Sequence, residues 1–263
     1  MRPLRLIIVW SALVTAACGG SPTTPNSQDT NAGTSTGSTA GFAWQFNGTT
    51  WAAVGTPPSC GSFTVNLPVD LSQVTSILYP GQTRGDYKPH GGFRFDAPSQ
   101  TTNEVTVRAP FSGMAFRGAR YIASDEIQYT IDVIHPCGIM FRLGHLRDVA
   151  PRVQALEDTI PGTPDLDSHT TNFAPGSLFA EGDLIATAVG VRNTHNVFVD
   201  FGVYDLRQRN SSAGDPAWLA AHPGDVAPYA VCWFDWLTPG NTAAVRALPS
   251  ADGVMGRTSD FCR

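Results

Sequence analysis

The chain has 263 residues, of which 42% are hydrophobic and 15% charged, and its formal net charge is -5 at pH 7. This negative balance and the lack of a long basic run argue against a nucleic-acid-binding protein. About 220 residues follow a polar N-terminal stretch, which is enough for one domain with a substantial core.

Residues 1–18 have the layout of a bacterial lipoprotein signal peptide. Arg2 and Arg5 precede an apolar run over residues 6–14, which is too short to span a bilayer, and small residues then lead into Cys18. This cysteine resembles the one that is cleaved and lipidated in such proteins, so we expect an exported protein with a lipid anchor at Cys18. The alternative is a plain secretion signal. Gly19 follows the cysteine, which implies outer-membrane sorting if the cell has two membranes.

Residues 19–41 carry a single charge and no large apolar side chain. Such a segment cannot bury enough surface to offset the entropy of ordering, so we predict a flexible tether between the anchor and a domain that begins at residue 42.

Four cysteines remain besides Cys18, at positions 60, 137, 232 and 262. An even number of cysteines in an exported protein predicts two disulfides, and three pairings are possible. We favour Cys60–Cys137 with Cys232–Cys262, because the second bond would fasten the C-terminal tail.

Short runs rich in Val, Ile, Phe and Tyr, with alternating apolar positions, predict an all-β fold. In chain order, these runs are FTVNLPV (63–69), GGFRFDA (91–97), EVTVRAP (104–110), IQYTIDVIH (127–135), IMFRLGHL (139–146), DLIATAVG (183–190) and NVFVDFGVYDL (196–206). Weak helical patterns cover 148–160, with Asp148 as a cap, and also 215–223 and 242–248. The segment 149–178 is predicted to be a long insertion loop, and residues 207–263 a C-terminal extension that packs on the domain.

Five motifs in order suggest a family. They are LYPGQTRGDYKPHGGFRFDAP (78–98), VRAPFSGMAF (107–116), YTIDVIHPCGIMFRLGHL (129–146), FAEGDLIATAVG (179–190) and VFVDFGVYDLR (197–207). This succession resembles the lysostaphin-type (LytM-like) metallopeptidase domain, which has a duplicated-hybrid-motif β fold, and the resemblance covers residues 70–206. We therefore expect a LytM-like β domain over residues 42–206.

The resemblance implies a zinc site that this chain has altered. In that family an H-x-G-x-D motif and the last histidine of H-L-H hold zinc, and two further histidines assist the attack of a zinc-bound water on peptidoglycan peptides. His90 matches the first ligand, but Arg94 falls on the aspartate ligand and Asp200 on the last histidine. His145 matches one assisting histidine, whereas Phe198 replaces the other. An arginine has no lone pair to give to a metal.

The two altered ligand positions have opposite charges. We therefore hypothesise that Arg94 and Asp200 form an ion pair in the vacated metal slot, with His90 nearby, and that loss of one partner costs on the order of 3–5 kcal/mol. The rival interpretation keeps the metal. Asp96 has the same strand parity as His90, so His90, Asp96 and Asp200 would bind zinc while His145 acts as the catalytic base.

Three functions follow. The favoured one is a cell-envelope lipoprotein with a degenerate, metal-free LytM-like domain, a pseudoenzyme that binds peptidoglycan or a cell-wall hydrolase partner through a groove lined by His90, Arg94, His145 and Asp200. The alternative is an active zinc-dependent peptidoglycan endopeptidase. The third is a carbohydrate-binding module with Trp218, Trp233 and Trp236 as a stacking surface.

Overall fold

The computed structural model of the protein describes residues 43–165 and 167–263, with residues 164 and 165 described by their backbone alone. The predicted signal peptide, the lipidation site at Cys18 and the tether over 19–41 lie outside the described residues. No helix in the described part of the chain is long and apolar enough to cross a membrane.

The structure is rich in β-strands, which confirms the predicted β class: 38% of the described residues lie in strands and 16% in helices. In chain order the strands are β1 (Ala43–Phe46), β2 (Trp51–Val54), β3 (Ser76–Leu78), β4 (Gln82–Arg84), β5 (Asp86–Lys88), β6 (Gly91–Arg94), β7 (Glu104–Arg108), β8 (Gly113–Ala123), β9 (Glu126–Ile134), β10 (Ile139–Leu146), β11 (Gly162–Asp165), β12 (Thr171–Phe179), β13 (Leu184–Ala188) and β14 (Phe198–Asp205). The α-helices are α1 (Pro151–Glu157), α2 (Pro216–Ala221) and α3 (Pro239–Ala247).

One large sheet organises the described residues. Its strand order is β11-β8-β9-β10-β14-β6-β3, and β12 also pairs with β8. The pairs β1–β2, β4–β5 and β7–β13 form two-stranded sheets beside it. Because alternate residues of a strand point to opposite faces, the central strands present two different surfaces.

One face of the large sheet, which we call the core face, carries the main hydrophobic core. Phe93, Phe141 and Phe201 point into it and are fully buried. Trp233, from the C-terminal 207–263 segment, packs against Phe93 and Phe201 with ring centroids 5.2 and 5.0 Å apart. The C-terminal segment therefore contributes directly to the same core as the sheet.

The opposite face, which we call the groove face, has a second group of buried apolar side chains at one end and polar side chains further along. At one end the β1–β2 hairpin and the 3-10 turn Ala227–Tyr229 cover Met140 and Tyr204, which form a second, smaller core. Gly92, Gly144 and Asp200 lie further along the same face, because the strand register places both glycines opposite Asp200.

Two disulfides fasten the fold, and they are the pairs that we favoured from the sequence: Cys60–Cys137 and Cys232–Cys262. The second bond ties the C-terminal end to the turn that carries Trp233.

Several sequence-based elements differ from the structure. FTVNLPV is not a strand; Val65 is buried and donates its backbone N–H to Trp236 outside any sheet. The predicted loop over 149–178 contains α1, β11 and most of β12, which extends the large sheet through β8. Helix α1 begins after Ala150 rather than at an Asp148 cap.

Candidate functional site

The structure brings His90, His145 and Asp200 together on the groove face. His90 immediately precedes β6, His145 lies in β10 and Asp200 lies in β14, between those two strands. Nε2 of His90 is 3.0 Å from Oδ2 of Asp200, and Nε2 of His145 is 3.5 Å from the same oxygen. We call these three residues the His–Asp–His cluster.

Glycines on either side of Asp200 keep the floor of the site at the level of the backbone. A Cβ at Gly92 would lie 2.5 Å from the carbonyl oxygen of Val199, and a Cβ at Gly144 would lie 3.4 Å from Cβ of Asp200. A larger residue at Gly92 would therefore clash, and one at Gly144 would crowd the carboxylate.

A second layer of hydrogen bonds orients His145. Its Nδ1 lies 2.5 Å from Oε1 of Gln128, and the amide nitrogen of Gln128 donates to the carbonyl of Gly190 at 2.7 Å. Because that donation fixes which end of the amide faces His145, Nδ1 must carry the hydrogen and Nε2 must face Asp200. Gln128 lies 17 residues before His145 and belongs to none of the five sequence motifs.

The backbone at His145 is also unusual. Its φ is +55°, in the left-handed region that residues other than glycine rarely adopt. Such a conformation persists only where the surroundings enforce it, and it is found frequently at functional sites.

The charges of the cluster follow from burial and from neighbouring groups. Burial lowers the pKa of His145 below its ordinary value, and the neighbouring His90 adds to this effect against the attraction of Asp200. Burial alone would raise the pKa of Asp200, but the positive charges of His90, His145 and Arg84 outweigh it and lower this pKa. Because the pKa of Asp200 is lowered, its carboxyl group is ionised at neutral pH.

His90 has unsatisfied hydrogen-bonding capacity. Its Nδ1 is buried without a partner among the described residues, and its Nε2 lies 3.0 Å from Oδ2 of Asp200. Arg84 holds the backbone of His90 by donating to its carbonyl oxygen at 3.3 Å. An unpartnered buried nitrogen costs about 1–3 kcal/mol, and such groups in folded proteins call for a functional explanation.

Arg94 does not pair with Asp200, so the predicted ion pair is not formed. Its Nε and Nη2 donate to the carboxylate of Asp96 at 3.0 and 3.1 Å, and Nη2 also donates to Oδ1 of Asn196 at 2.8 Å. The guanidinium lies over the ring of Phe198, 5.7 Å from its centroid. Arg94 lies opposite Phe198 in the β6–β14 pair, whereas Asp200 lies opposite Gly92. Arg94 therefore binds the carboxylate of Asp96, which is nearer to it than that of Asp200.

The alternative zinc set of His90, Asp96 and Asp200 is not assembled either. Asp96 lies four residues along the chain from Gly92, the residue opposite Asp200, which corresponds to about 13 Å of extended strand. Its carboxylate is bound by Arg94 and its backbone N–H donates to Thr75. Among the residues that the structure describes, no group of three His, Cys, Asp or Glu side chains is arranged to hold a metal ion.

The three C-terminal tryptophans do not form a common stacking surface. Trp233 is completely buried in the main core. Trp218 packs beside Tyr87 and His222, whereas Trp236 packs beside Phe63. The prediction of a carbohydrate-binding surface on these residues is wrong, because their rings are used for packing in separate places.

A buried row of charges lies next to the cluster and was not predicted from the sequence. Asp132 in β9 is fully buried and accepts hydrogen bonds from Arg117 in β8 and from Arg142 in β10 at 2.6 and 2.7 Å. Burial alone would raise the pKa of Asp132, but the two guanidinium groups outweigh it and lower this pKa. Arg142 lies opposite Gly202 of β14, so the row reaches the neighbourhood of His90.

No family model, curated protein or solved structure matches this chain. The LytM-like resemblance therefore stays a hypothesis that the ordered motifs carry, and the function must be argued from the site itself.

Proposed function

We propose that the protein is a cell-envelope protein that binds the peptide part of peptidoglycan at the His–Asp–His cluster without hydrolysing it. The observation that carries this proposal is the position of Arg94. At the place where the resembled enzymes need a carboxylate for zinc, this chain has a cation that is tied to Asp96 and Asn196.

The chemistry of the substituted residues supports binding rather than hydrolysis. A guanidinium cannot donate a lone pair to zinc, and Asp96, the only nearby carboxylate on β6 or just beyond it, is neutralised by Arg94. Phe198 stands where an assisting histidine would be required, and its ring packs against His145 with centroids 4.4 Å apart. His145 therefore lacks the second imidazole with which the resembled enzymes assist catalysis.

The charge of Asp200 suits a peptide ligand. An ionised Asp200 accepts hydrogen bonds from amides or from an amine, and it attracts a positively charged group. Stem peptides of peptidoglycan contain amide bonds and, in many bacteria, amino groups, so they are a suitable ligand class.

The compartment agrees with this ligand. Two disulfides are typical of proteins outside the cytoplasm, where thiols oxidise. A lipid anchor at Cys18 followed by a polar tether, as the sequence predicts, would let the domain reach the cell wall from a membrane.

Co-sedimentation of the purified full chain with cell-wall sacculi tests the proposal. We expect saturable binding, no release of soluble peptide fragments, and at least tenfold weaker binding of Asp200→Asn. Asp215→Asn is the matched control: it removes the same charge at the N-cap of α2, where asparagine caps equally well. Stoichiometric zinc that Asp200→Asn loses, together with fragment release, would show an endopeptidase instead. Binding only to a cell-wall hydrolase, and not to sacculi, would replace the wall by a protein partner.

A further inference from the structure

A second groove on the same face of the sheet is lined by aromatic rings. Trp44 and Phe46 of β1, Trp51 of β2 and Phe116 of β8 surround a cavity of about 390 Å³, which Gln45, Arg117, Asn172 and Asp225 complete with polar groups. Trp44 and Phe116 also line an adjoining apolar cavity of about 250 Å³ with Met114, Ile134 and Leu178. We call the two cavities together the aromatic groove.

We propose that the aromatic groove binds a neutral N-acetylated oligosaccharide. The pyranose rings would stack on the aromatic faces and the acetyl methyl groups would enter the apolar cavity. This inference rests on the proposed function, since peptidoglycan joins peptides to strands of N-acetylated sugars, and it assigns the sugar part to a separate site.

The tryptophans offer their faces rather than their N–H groups. Nε1 of Trp44 donates to the carbonyl of Pro136 at 3.0 Å, and Nε1 of Trp51 donates to the carbonyl of Asp225 at 2.7 Å. These bonds fix the ring planes and remove the donors that a peptide backbone would use. The apolar C–H face of a sugar ring needs only the aromatic surface, which Trp44, Phe46 and Phe116 leave partly exposed.

The charges in the groove favour a neutral ligand. Arg117 binds Asp225 and Asp132, so the carboxylate of Asp225 is balanced inside the groove wall. The guanidinium of Arg117 also lies over the rings of Phe116 and Trp51, 5.0 and 5.6 Å from their centroids. Nη2 of Arg117 is a buried donor without a partner among the described residues. The groove therefore presents both donors and acceptors, including the exposed amides of Gln45 and Asn172. Sugar hydroxyl groups suit it because they can both donate and accept hydrogen bonds.

The two sites are close enough for one polymer to occupy both. Arg117 lies in β8, three strands away from β14 in the order β8-β9-β10-β14. At about 4.8 Å per strand, Arg117 lies about 14 Å across the sheet from Gly202, the β14 residue in line with it, and Asp200 lies two residues, or about 7 Å, further along β14. A sugar and the first residues of an attached peptide can span this distance.

Calorimetric titration of the full chain in detergent with chitotetraose, a soluble tetramer of N-acetylglucosamine, tests this inference. We expect saturable binding, weakened at least tenfold in Trp44→Ala and largely retained in Trp44→Phe, which keeps an aromatic face but loses the bond to Pro136.

Asn172→Ala, at an exposed edge of the groove, should weaken binding several-fold without affecting the fold. Trp218→Ala is the matched control and should change nothing, because its ring packs beside Tyr87 and His222 and lines neither cavity. Cellotetraose, which lacks acetyl groups, should bind more weakly.

Absence of saturable binding up to about 10 mM chitotetraose, equal losses in Trp44→Ala and Trp218→Ala, or displacement of the sugar by a synthetic peptide of residues 19–41 would each overturn the sugar assignment. The two proposals fail separately. If sacculi bind through Asp200 but chitotetraose does not bind, only the sugar site is lost; if chitotetraose binds and Asp200→Asn leaves sacculus binding unchanged, only the peptide site is lost.

Discussion

Arg94 donates hydrogen bonds from Nε and Nη2 to the carboxylate of Asp96, at 3.0 and 3.1 Å. Asp96 lies two residues further along the chain. Asp200 is thereby left to His90 and His145. The positive charge at the altered ligand position is satisfied locally, whereas the negative charge of Asp200 lies beside imidazoles from two other segments.

This arrangement predicts a small energetic role for Arg94. The side chain of Asp96 is 48% exposed, so the ion pair is screened by water, and Arg94→Ala should lower the free energy of unfolding by about 1 kcal/mol rather than by the 3–5 kcal/mol of a buried pair. A urea-unfolding double-mutant cycle with Asp96→Ala measures the coupling. A second cycle, with Asp200→Ala in place of Asp96→Ala, should show no coupling energy. A larger coupling of Arg94 to Asp200 than to Asp96 would contradict the geometry.

Asp132 should behave in the opposite way. It is fully buried between Arg117 and Arg142, so Asp132→Asn leaves two guanidinium groups without their shared anion and should cost about 3–5 kcal/mol in urea unfolding. Asp158→Asn is the matched control, because Asp158 is 55% exposed and pairs with Arg120 at the surface; its loss should cost less than about 1 kcal/mol. Similar losses of unfolding free energy in the two variants would mean that Asp132 is not buried between the two arginines as described.

The sequence predicted strands whose apolar positions alternate strongly, both in the large sheet and in the β7–β13 pair. IMFRLGHL matches β10 residue for residue, and EVTVRAP and NVFVDFGVYDL contain β7 and β14. It failed for the long strand β8, for β12 and for the β1–β2 hairpin. β12 contains Pro175 and Gly176 and has no clear alternation, and it is a strand because it pairs with β8, more than 50 residues earlier. Local pattern cannot report such a partner.

The site shows the same division. The resemblance of the ordered motifs to the LytM-like domain pointed to His90, His145 and Asp200, and the structure brings these three residues together. The direction of Arg94 could not be predicted, because it depends on Asn196, 102 residues away, and on a choice between two carboxylates with the same strand parity. Gln128, whose amide sets the tautomer of His145, belongs to no motif and became visible only when β9 was placed beside β10.

The two disulfides should stabilise the fold unequally. They close segments with separations of 77 residues for Cys60–Cys137 and 30 residues for Cys232–Cys262, for which the loop-entropy relation gives about 4.5 and about 3.6 kcal/mol. Paired Cys→Ala variants compared by guanidinium unfolding should therefore rank the first pair as the costlier one. The reverse order would show that anchoring Trp233 in the core outweighs the difference in chain entropy.

Glu157 at the end of α1 should make stability depend on pH. Its side chain is completely buried, and neither carboxylate oxygen has a hydrogen-bond partner among the described residues. Burial raises its pKa from 4.5 to about 8; Arg120 opposes the shift, and Asp132 and Asp158 add to it. Between these two values the folded protein keeps a proton that the unfolded chain releases. This group therefore makes stability fall with rising pH, by up to about 1.4 kcal/mol per pH unit, until about pH 8.

Urea unfolding of the wild type and Glu157→Gln from pH 4 to pH 9 isolates this contribution, because the variant cannot titrate at this position. The free energy of unfolding of the variant, taken relative to the wild type, should rise steadily between about pH 4.5 and pH 8 and then level off. The comparison also removes the effect of His145, whose lowered pKa makes stability rise with pH in the range below its ordinary value of 6.5. A difference that stays constant across the range would show that the Glu157 carboxyl titrates normally, as it would if α1 opened to solvent.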